Sequence, residues 1–370
     1  MACPPVYHVA VQGVLLPAEL MDAIIEVRVE QAIDTPTSFA IQFQDDLCAG
    51  RLMRASHEAL QPGRVVTVAG DHGGEVTGLV HGPIHSIHQT MAKGGQGSTI
   101  EVRGGDRQVD MSRVKRQRAW QGRASDAAFE ILSSRYGISP IVENTPVIYG
   151  TSGPTLNQAS SDFDFLQRIA ELSNVSFWLD WECVLGGRSV NVVEYGHFRP
   201  SPSRTGGDRE REPLGLVLNG RDPRDGTVTR LNIRQEHERP TSTKARTVEN
   251  AEAVSGDVES TQPALDAGGR GVGSGERNAP MTRVPSPGPY AEVRVRAEAA
   301  ITRAGWHVRA EGSTTGDRLQ GILRPHQITT VAGVDPQHAG HYQVESVVHV
   351  ITPSEHLMDF VLRRNVLMEI

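Results

Sequence analysis

The period of apolar positions changes twice along this chain. Near the start Ile25, Val27 and Val29 alternate with Glu26, Arg28 and Glu30, as in a strand with one buried face. Phe39, Ile41 and Phe43 repeat the alternation after the turn at Asp34-Thr35-Pro36. Further strands are predicted over 65–69, 80–87 and 99–103, so residues 1–110 read as a β region. Within 111–198 a helical period enters. Ser125 is a cap for a helix that buries Ala127, Ala128, Ile131 and Leu132 and ends at Gly137. Ser161 caps a second helix, Asp164 completes a capping-box pattern, and Asp162 and Asp164 sit in the first turn, where the helix dipole favours negative charge. Phe163, Leu166, Ile169, Ala170 and Leu172 form its apolar stripe. Asn174 can stop it in a left-handed conformation. The period then returns to two: Val175, Phe177, Leu179 and Trp181 on one face, Ser176, Trp178 and Asp180 on the other. With a strand over 189–193, this stretch is an α+β insert.

Residues 199–213, rich in Pro, Arg, Gly and Glu, have linker composition. Strands resume over 214–218 and 227–235. Residues 250–289 carry almost no large apolar side chain and read as a long mobile loop or a small insertion. The period of two returns over 291–297, 327–331, 342–351 and 358–363. Residues 214–249 and 290–370 together form a second β region. The two β regions share an echo: Pro62-Gly-Arg-Val-Val-Thr-Val-Ala-Gly70 matches Pro325-His-Gln-Ile-Thr-Thr-Val-Ala-Gly333 at Pro, Thr, Val, Ala and Gly. Strand, Gly turn and strand is a common sequence, so coincidence competes with a second reading, two related β-barrels split by the insert.

A chain of 370 residues exceeds one ordinary domain. With 38 Gly and 22 Pro, about one residue in six breaks regular structure, which suits short strands and many turns. The net charge of −7 argues against a general nucleic-acid binder, which would be basic. Cys3, Cys48 and Cys183 are isolated from one another, as reduced thiols in a protein assembled in a cytoplasm would be. No secretory leader and no run of about 18 apolar residues is present, so no membrane partner is expected.

Candidate chemistry is sparse. His81, His85 and His88 form the one metal-like cluster, but Gly82-Pro83 disfavours a helix there. In a strand His81 and His85 share a face that His88 does not, so no metal site is assigned. Asp162/Asp164 and Asp45/Asp46 could pair as glycosidase acids, yet capping and turn roles account for them. Arg113, Lys115, Arg116 and Arg118 read as a solvated or inter-subunit salt-bridging face. His341, His349 and His356 carry no distinguishing pattern. No nucleophile elbow, phosphate loop or dinucleotide fingerprint occurs, so no catalytic residue and no cofactor is assigned.

Residues 161–170, Ser-Asp-Phe-Asp-Phe-Leu-Gln-Arg-Ile-Ala, resemble the Ser-Asp-x-Asp-Phe-Leu-x-Arg-x-Ala segment of the contractile-tail baseplate hub family, which includes phage late control protein D and the N-terminal part of VgrG. Residues 9–17, 33–39, 116–120, the 125–137 helix and Gly340-His-Tyr-Gln-Val344 with His349 resemble that family in the same order. The 250–289 span departs from its pattern. The resemblance implies two tube-like β-barrels per chain with smaller elements between them, a homotrimer forming a pseudo-six-fold ring, and a structural role with no enzyme activity. It implies an Hcp-like inner tube protein on one face and a trimeric spike on the other, with further baseplate proteins around them, in a phage virion or contractile injection particle. The chain ends soon after the last predicted strand, so the spike is expected on a separate polypeptide. Two other classes compete: a tail-associated cell-wall hydrolase, and a module that binds effector cargo in the lumen.

Overall fold

A computed structural model of the chain describes residues 6–48, 51–72, 74–93, 97–150, 154–201, 213–220, 225–236, 242–249, 252–259, 265, 281–285 and 290–367. Its framework is an antiparallel sheet built from both ends of the chain. In the first module the strands lie in the order Val6–Val11, Val65–His72, Glu75–Thr90, Ser98–Gly105, Thr35–Asp45, Ile24–Ala32. The second module repeats that order with Leu214–Val217, Ile328–Ala332, Gly340–Ile351, His356–Arg364, Val308–Thr315 and Val228–Gln235. One difference separates them: Val6–Val11 runs antiparallel to its neighbour, whereas Leu214–Val217 runs parallel.

The register makes the echo a structural repeat. Gly63 and His326, which follow the matched prolines, both have left-handed backbones, at φ 83° and 66°. Each donates its N–H to the facing strand, Gly63 to the Ile84 carbonyl at 2.8 Å and His326 to the Val344 carbonyl at 3.1 Å. The matched strands set Val65 on Ile328. Their partners Pro83 and Gln343 therefore correspond. The next residues, Ile84 and Val344, are where both long strands bulge. The hairpins bulge in step as well, after Ile24 in one module and after Val228 in the other. The Ile24 bulge corrects one detail of the alternation. It adds a residue to the pleat, so Ile24 is buried while Ile25 is 39% exposed; Val27 and Val29 point inward as predicted.

The two modules share one core. Phe39, Ile41 and Phe43 from the first pack in the same cluster as Tyr342, Phe360 and Leu362 from the second. The insert has its own core around Trp120, Phe165, Leu166, Phe177 and Phe198. Trp120 stacks on Phe165 with ring centroids 5.9 Å apart. The Asp162–Leu172 helix begins as read: Ser161 Oγ accepts the Asp164 N–H at 3.1 Å. Asn174 follows it at φ 58°, and Phe177, Leu179 and Trp181 of Ser176–Gly186 are buried. The preceding helix differs. It spans Ala124–Glu130, continues as a π turn over Ile131–Arg135, and is capped at Arg123, whose N–H donates to Asp126 at 2.8 Å. Ser125 lies inside it, bonded to Thr145.

In the C-terminal half one open reading narrows, one changes and one strand was missed. The 250–289 span takes the form of a small insertion: Glu252–Glu259 and Met281–Pro285 flank Ser242–Glu249 in a separate three-stranded sheet, and the remainder other than Leu265 lies outside the described residues. Backbone pairing holds such a sheet without large side chains. Residues 291–297, read as a strand, belong to the Tyr290–Ala304 helix. The stretch alternates by chance but is rich in Ala, Glu and Arg, and i,i+4 pairs Glu292/Arg296 and Arg294/Glu298 support the helix. Thr243 of the small sheet bonds the Ala297 carbonyl at 3.2 Å. Val308–Thr315, missed in the sequence because its apolar positions are Val, Ala and Gly, is a central strand. The linker at 202–212 lies outside the described residues.

Phe360 is 1% exposed at the centre of the shared core. Phe360→Ala is expected to cost about 3–5 kcal/mol through lost burial and the cavity left behind. Val184→Ala, at a 55% exposed position, should shift stability by no more than about 0.5 kcal/mol. Urea denaturation of both variants checks the contrast.

Candidate functional site

The place where the modules meet is the site with most built into it. Ile24–Ala32 and Gly340–Ile351 pair antiparallel over six residues, from Ala32 opposite Ser346 to Val27 opposite Ile351. A polar chain crosses this seam inside the core. Gln31 Nε2 donates to the Leu79 carbonyl at 2.7 Å. Gln31 Oε1 must then accept, and it takes the His349 Nε2–H at 3.2 Å. His349 Nδ1 in turn accepts from His356 Nε2–H at 3.1 Å. The direction of donation fixes the His349 tautomer and sets His356 Nε2–H as a donor, and the chain is satisfied only while His349 is neutral. Burial holds His349 well below the usual histidine range and takes His356 down to about 4, with the neighbouring His72 adding to the effect on His356. The sequence offered no signal for either, since nothing in a single histidine announces a buried partner.

Beside the seam lies a cleft of about 830 Å³ between the insert and both modules. Trp178, on the polar face of its strand, fills part of its wall. It is sandwiched between His197 and His326 at 4.5 and 4.1 Å, with interplanar angles of 5° and 15°. His326 bonds Ser201 Oγ at 2.9 Å, Ser201 accepts from Gln343, and Arg363 holds Gln343 at 2.8 Å. Arg324 of the second module reaches Asp180 of the insert at 2.8 Å. Burial, with the nearby Arg363, His197 and Arg199, keeps His326 neutral well below its ordinary range. These contacts lock the insert onto the second module.

The residues weighed for chemistry serve structure. Asp162 is buried and bridges Arg116, Arg135, Gln158 and Tyr136. Burial alone would raise its pKa, and the bonds from Arg135, Gln158 and Tyr136 outweigh this and hold it low. Asp164 closes the cap with Ser161 Oγ at 2.6 Å. Asp45 accepts the Arg54 N–H at 3.0 Å in a turn and bonds the Asp46 N–H at 2.8 Å. His81 bonds Thr67 Oγ1 at 2.8 Å, and burial beside Arg107 lowers its pKa to about 4. His85 occupies the bulge and His88 is exposed at the strand end. Among the described residues no group of three or more His, Cys, Asp or Glu is arranged to hold a metal. The arginines of the basic run are engaged within the chain: Arg113 with Asp110, Arg116 with Asp162, and Arg118 with Glu130 and over the Trp120 ring at 3.8 Å. Cys183 is buried, its thiol pushed up to about 11 by burial; Cys3 and the Cys48 side chain lie outside the description. No helix among the described residues is long and apolar enough to cross a membrane.

Solved structures resemble the chain over nearly its whole length. The 43 kDa tail protein of prophage MuSo2 from Shewanella oneidensis matches with a TM-score of 0.62 and 13% identity, covering 98% of both chains. A tail protein from Neisseria meningitidis matches with a TM-score of 0.64 and 13% identity, covering 98% of this chain and 97% of that one. An Escherichia coli component of the type VI secretion system, itself similar to T4 bacteriophage tail proteins, matches with a TM-score of 0.52 and 13% identity over 96% of this chain and 76% of its own. No family model and no curated protein matches in sequence. At these identities the likeness is one of fold: the chain has the fold of phage tail proteins and of a type VI secretion component.

Two outcomes test the site. Unfolded histidines take up protons below about pH 6.5, whereas folded His81 and His356 do so only near 4. The unfolded state therefore binds more protons between those values, and stability falls as pH drops through that window, by roughly tenfold in folding constant per pH unit for each such histidine. Urea midpoints from pH 7 to 4.5 should show the decline, and His356→Gln should flatten it. Asp162→Asn leaves Arg116 and Arg135 without their carboxylate and should cost roughly 3 kcal/mol, read by thermal unfolding. Under the hydrolase reading the same change would abolish activity and leave the fold intact.

Proposed function

We propose that this chain is a structural baseplate hub of a contractile phage tail or phage-like injection system. Three copies would form a ring of six similar modules, matching a six-fold Hcp-like inner tube on one face and a trimeric spike on the other. The observation that carries the reading is the repeat: two modules with the same strand order, the same left-handed turn and the same pair of bulges. A homotrimer of such a chain has pseudo-six-fold symmetry while remaining three-fold in its inserts. The tail-protein fold and the structural engagement of the candidate acids support a scaffold over a hydrolase. The particle would assemble in the bacterial cytoplasm, with other baseplate proteins as neighbours.

Light scattering on the full chain, alone and co-expressed with a candidate trimeric spike protein, tests this. Three copies of the 40.2 kDa chain give a mass near 120 kDa, and images of that species should show six modules around a channel. A chain that stays monomeric with the spike present would overturn the hub reading and favour the hydrolase assay.

A further inference from the structure

The basic run of the insert forms a strand edge with one side open. Among the described residues Arg118–Trp120 pairs only with Leu156–Gln158, with Arg118 opposite Gln158 and Trp120 opposite Leu156. The ladder reaches further back along the chain. The Arg116 N–H donates to the Ser160 carbonyl at 3.0 Å, and Lys115 bridges Ser161. Bonded and non-bonded pairs alternate along an antiparallel ladder, so this bond sets the phase. Arg116, Arg118 and Trp120 turn their amides toward the partner strand. Lys115, Gln117 and Ala119 turn theirs to the other side, where no strand lies among the described residues. Every residue from Ser112 to Ala119 is exposed.

The edge is braced from behind, so its shape is set before a partner arrives. Trp120 stacks on Phe165, Arg118 lies over Trp120 and reaches Glu130 at 2.6 Å, and Arg116 meets Asp162 at 3.1 Å. Charge then narrows the choice of partner. Along the run Arg113, Arg116, Arg118 and Arg135 share three carboxylates, Asp110, Asp162 and Glu130. Lys115 has no ion-pair partner among the described residues, so the run keeps a local positive excess on a chain of net charge −7. A second copy of the same edge is disfavoured: antiparallel pairing centred on Gln117 would set Arg116 against Arg118, and like charges placed opposite each other destabilise a pair. Lys and Arg guard edges in this way against their own kind. The same charges admit a strand of opposite sign.

We infer that this edge docks an extended, acidic peptide segment of another protein as an added strand. The outward N–H and C=O groups of Lys115, Gln117 and Ala119 bond the peptide backbone, and the peptide carboxylates meet Lys115 and the neighbouring arginines. A nucleic acid would answer the charge alone, because a phosphate backbone has no N–H row for the outward carbonyls. The inference concerns the insert of a single chain and does not depend on the proposed ring.

The probe is a short fluorescein-labelled peptide of alternating Glu and Val, titrated with the full-length protein and read by fluorescence anisotropy. The expected result is saturable binding, with none for the matching Lys and Val peptide. Lys115→Glu, at an exposed and unpaired position, should weaken binding roughly tenfold. Gln117→Ala keeps the outward N–H and should bind as the unaltered protein does. Gln117→Pro deletes that N–H while leaving the bonds of Arg116 and Arg118 to the inner strand, and should abolish binding with the thermal midpoint retained. If Gln117→Pro does not fold, Lys115→Glu carries the test. Absence of saturable binding overturns the inference. Equal binding of the Lys peptide, or unchanged affinity in Lys115→Glu, overturns it as well. Binding that survives in folded Gln117→Pro removes the edge from the account. Displacement of the peptide by an equal concentration of oligothymidylate would assign the run to nucleic acid and overturn the peptide reading.

Discussion

Antiparallel pairing of Ile24–Ala32 with Gly340–Ile351 is the interaction on which the rest of the molecule depends. It brings together positions close to the two ends of the chain, and it merges two modules into one sheet with one core. Closing so long a segment costs entropy, though only logarithmically in its length. The cost is offset by apolar burial on both sides of the seam: Val27, Val29, Val347 and Ile351 are essentially inaccessible to water. A single register is enforced because a slip by one residue would turn this whole inward row to the outside. The Gln31–His349–His356 chain adds a directional constraint, since each group has one acceptable donor or acceptor at its place.

The insert is held by a different logic. Its core mixes aromatic and aliphatic residues and runs into the first module at Ala10 and Ala69, and its attachment to the second module is polar and stacked: Trp178 between two histidines, Arg324 on Asp180, and Ser201 linking His326 to Gln343. His326, His349 and His356 are held below the ordinary histidine range, by desolvation first and then by neighbouring basic groups. A joint that uses neutral imidazoles near neutral pH gains directional bonds without the cost of burying charge.

The two modules repeat one strand order, and a single seam joins them within the chain. The differences between modules are equally informative. The insert enters after Ser98–Gly105, and the small sheet with its helix enters within the second module. Additions at those points leave the strand order of both modules intact, so the repeated framework and the unique features are carried by separate segments of the chain.

Much of the local structure was legible in the sequence because it rests on neighbours in the chain. Alternation located most strands, Ser161 and Asn174 bounded the second helix, and the Pro-to-Gly echo marked the two modules through a turn and strand that need the same residues at the same spacing. Where period alone was the guide, it erred at Ile25, where a bulge reversed the faces, and at 291–297, where Glu–Arg pairs one helical turn apart outweighed a short alternation. The tertiary structure alone decided which strands meet, because pairing partners are chosen by burial and register across hundreds of residues and leave no local mark. It decided too that Gln31, His349 and His356 form one chain and that Trp178 is clasped rather than solvated. Those outcomes depend on which surfaces the fold brings within reach of one another, and a linear pattern of polar and apolar residues does not contain that information.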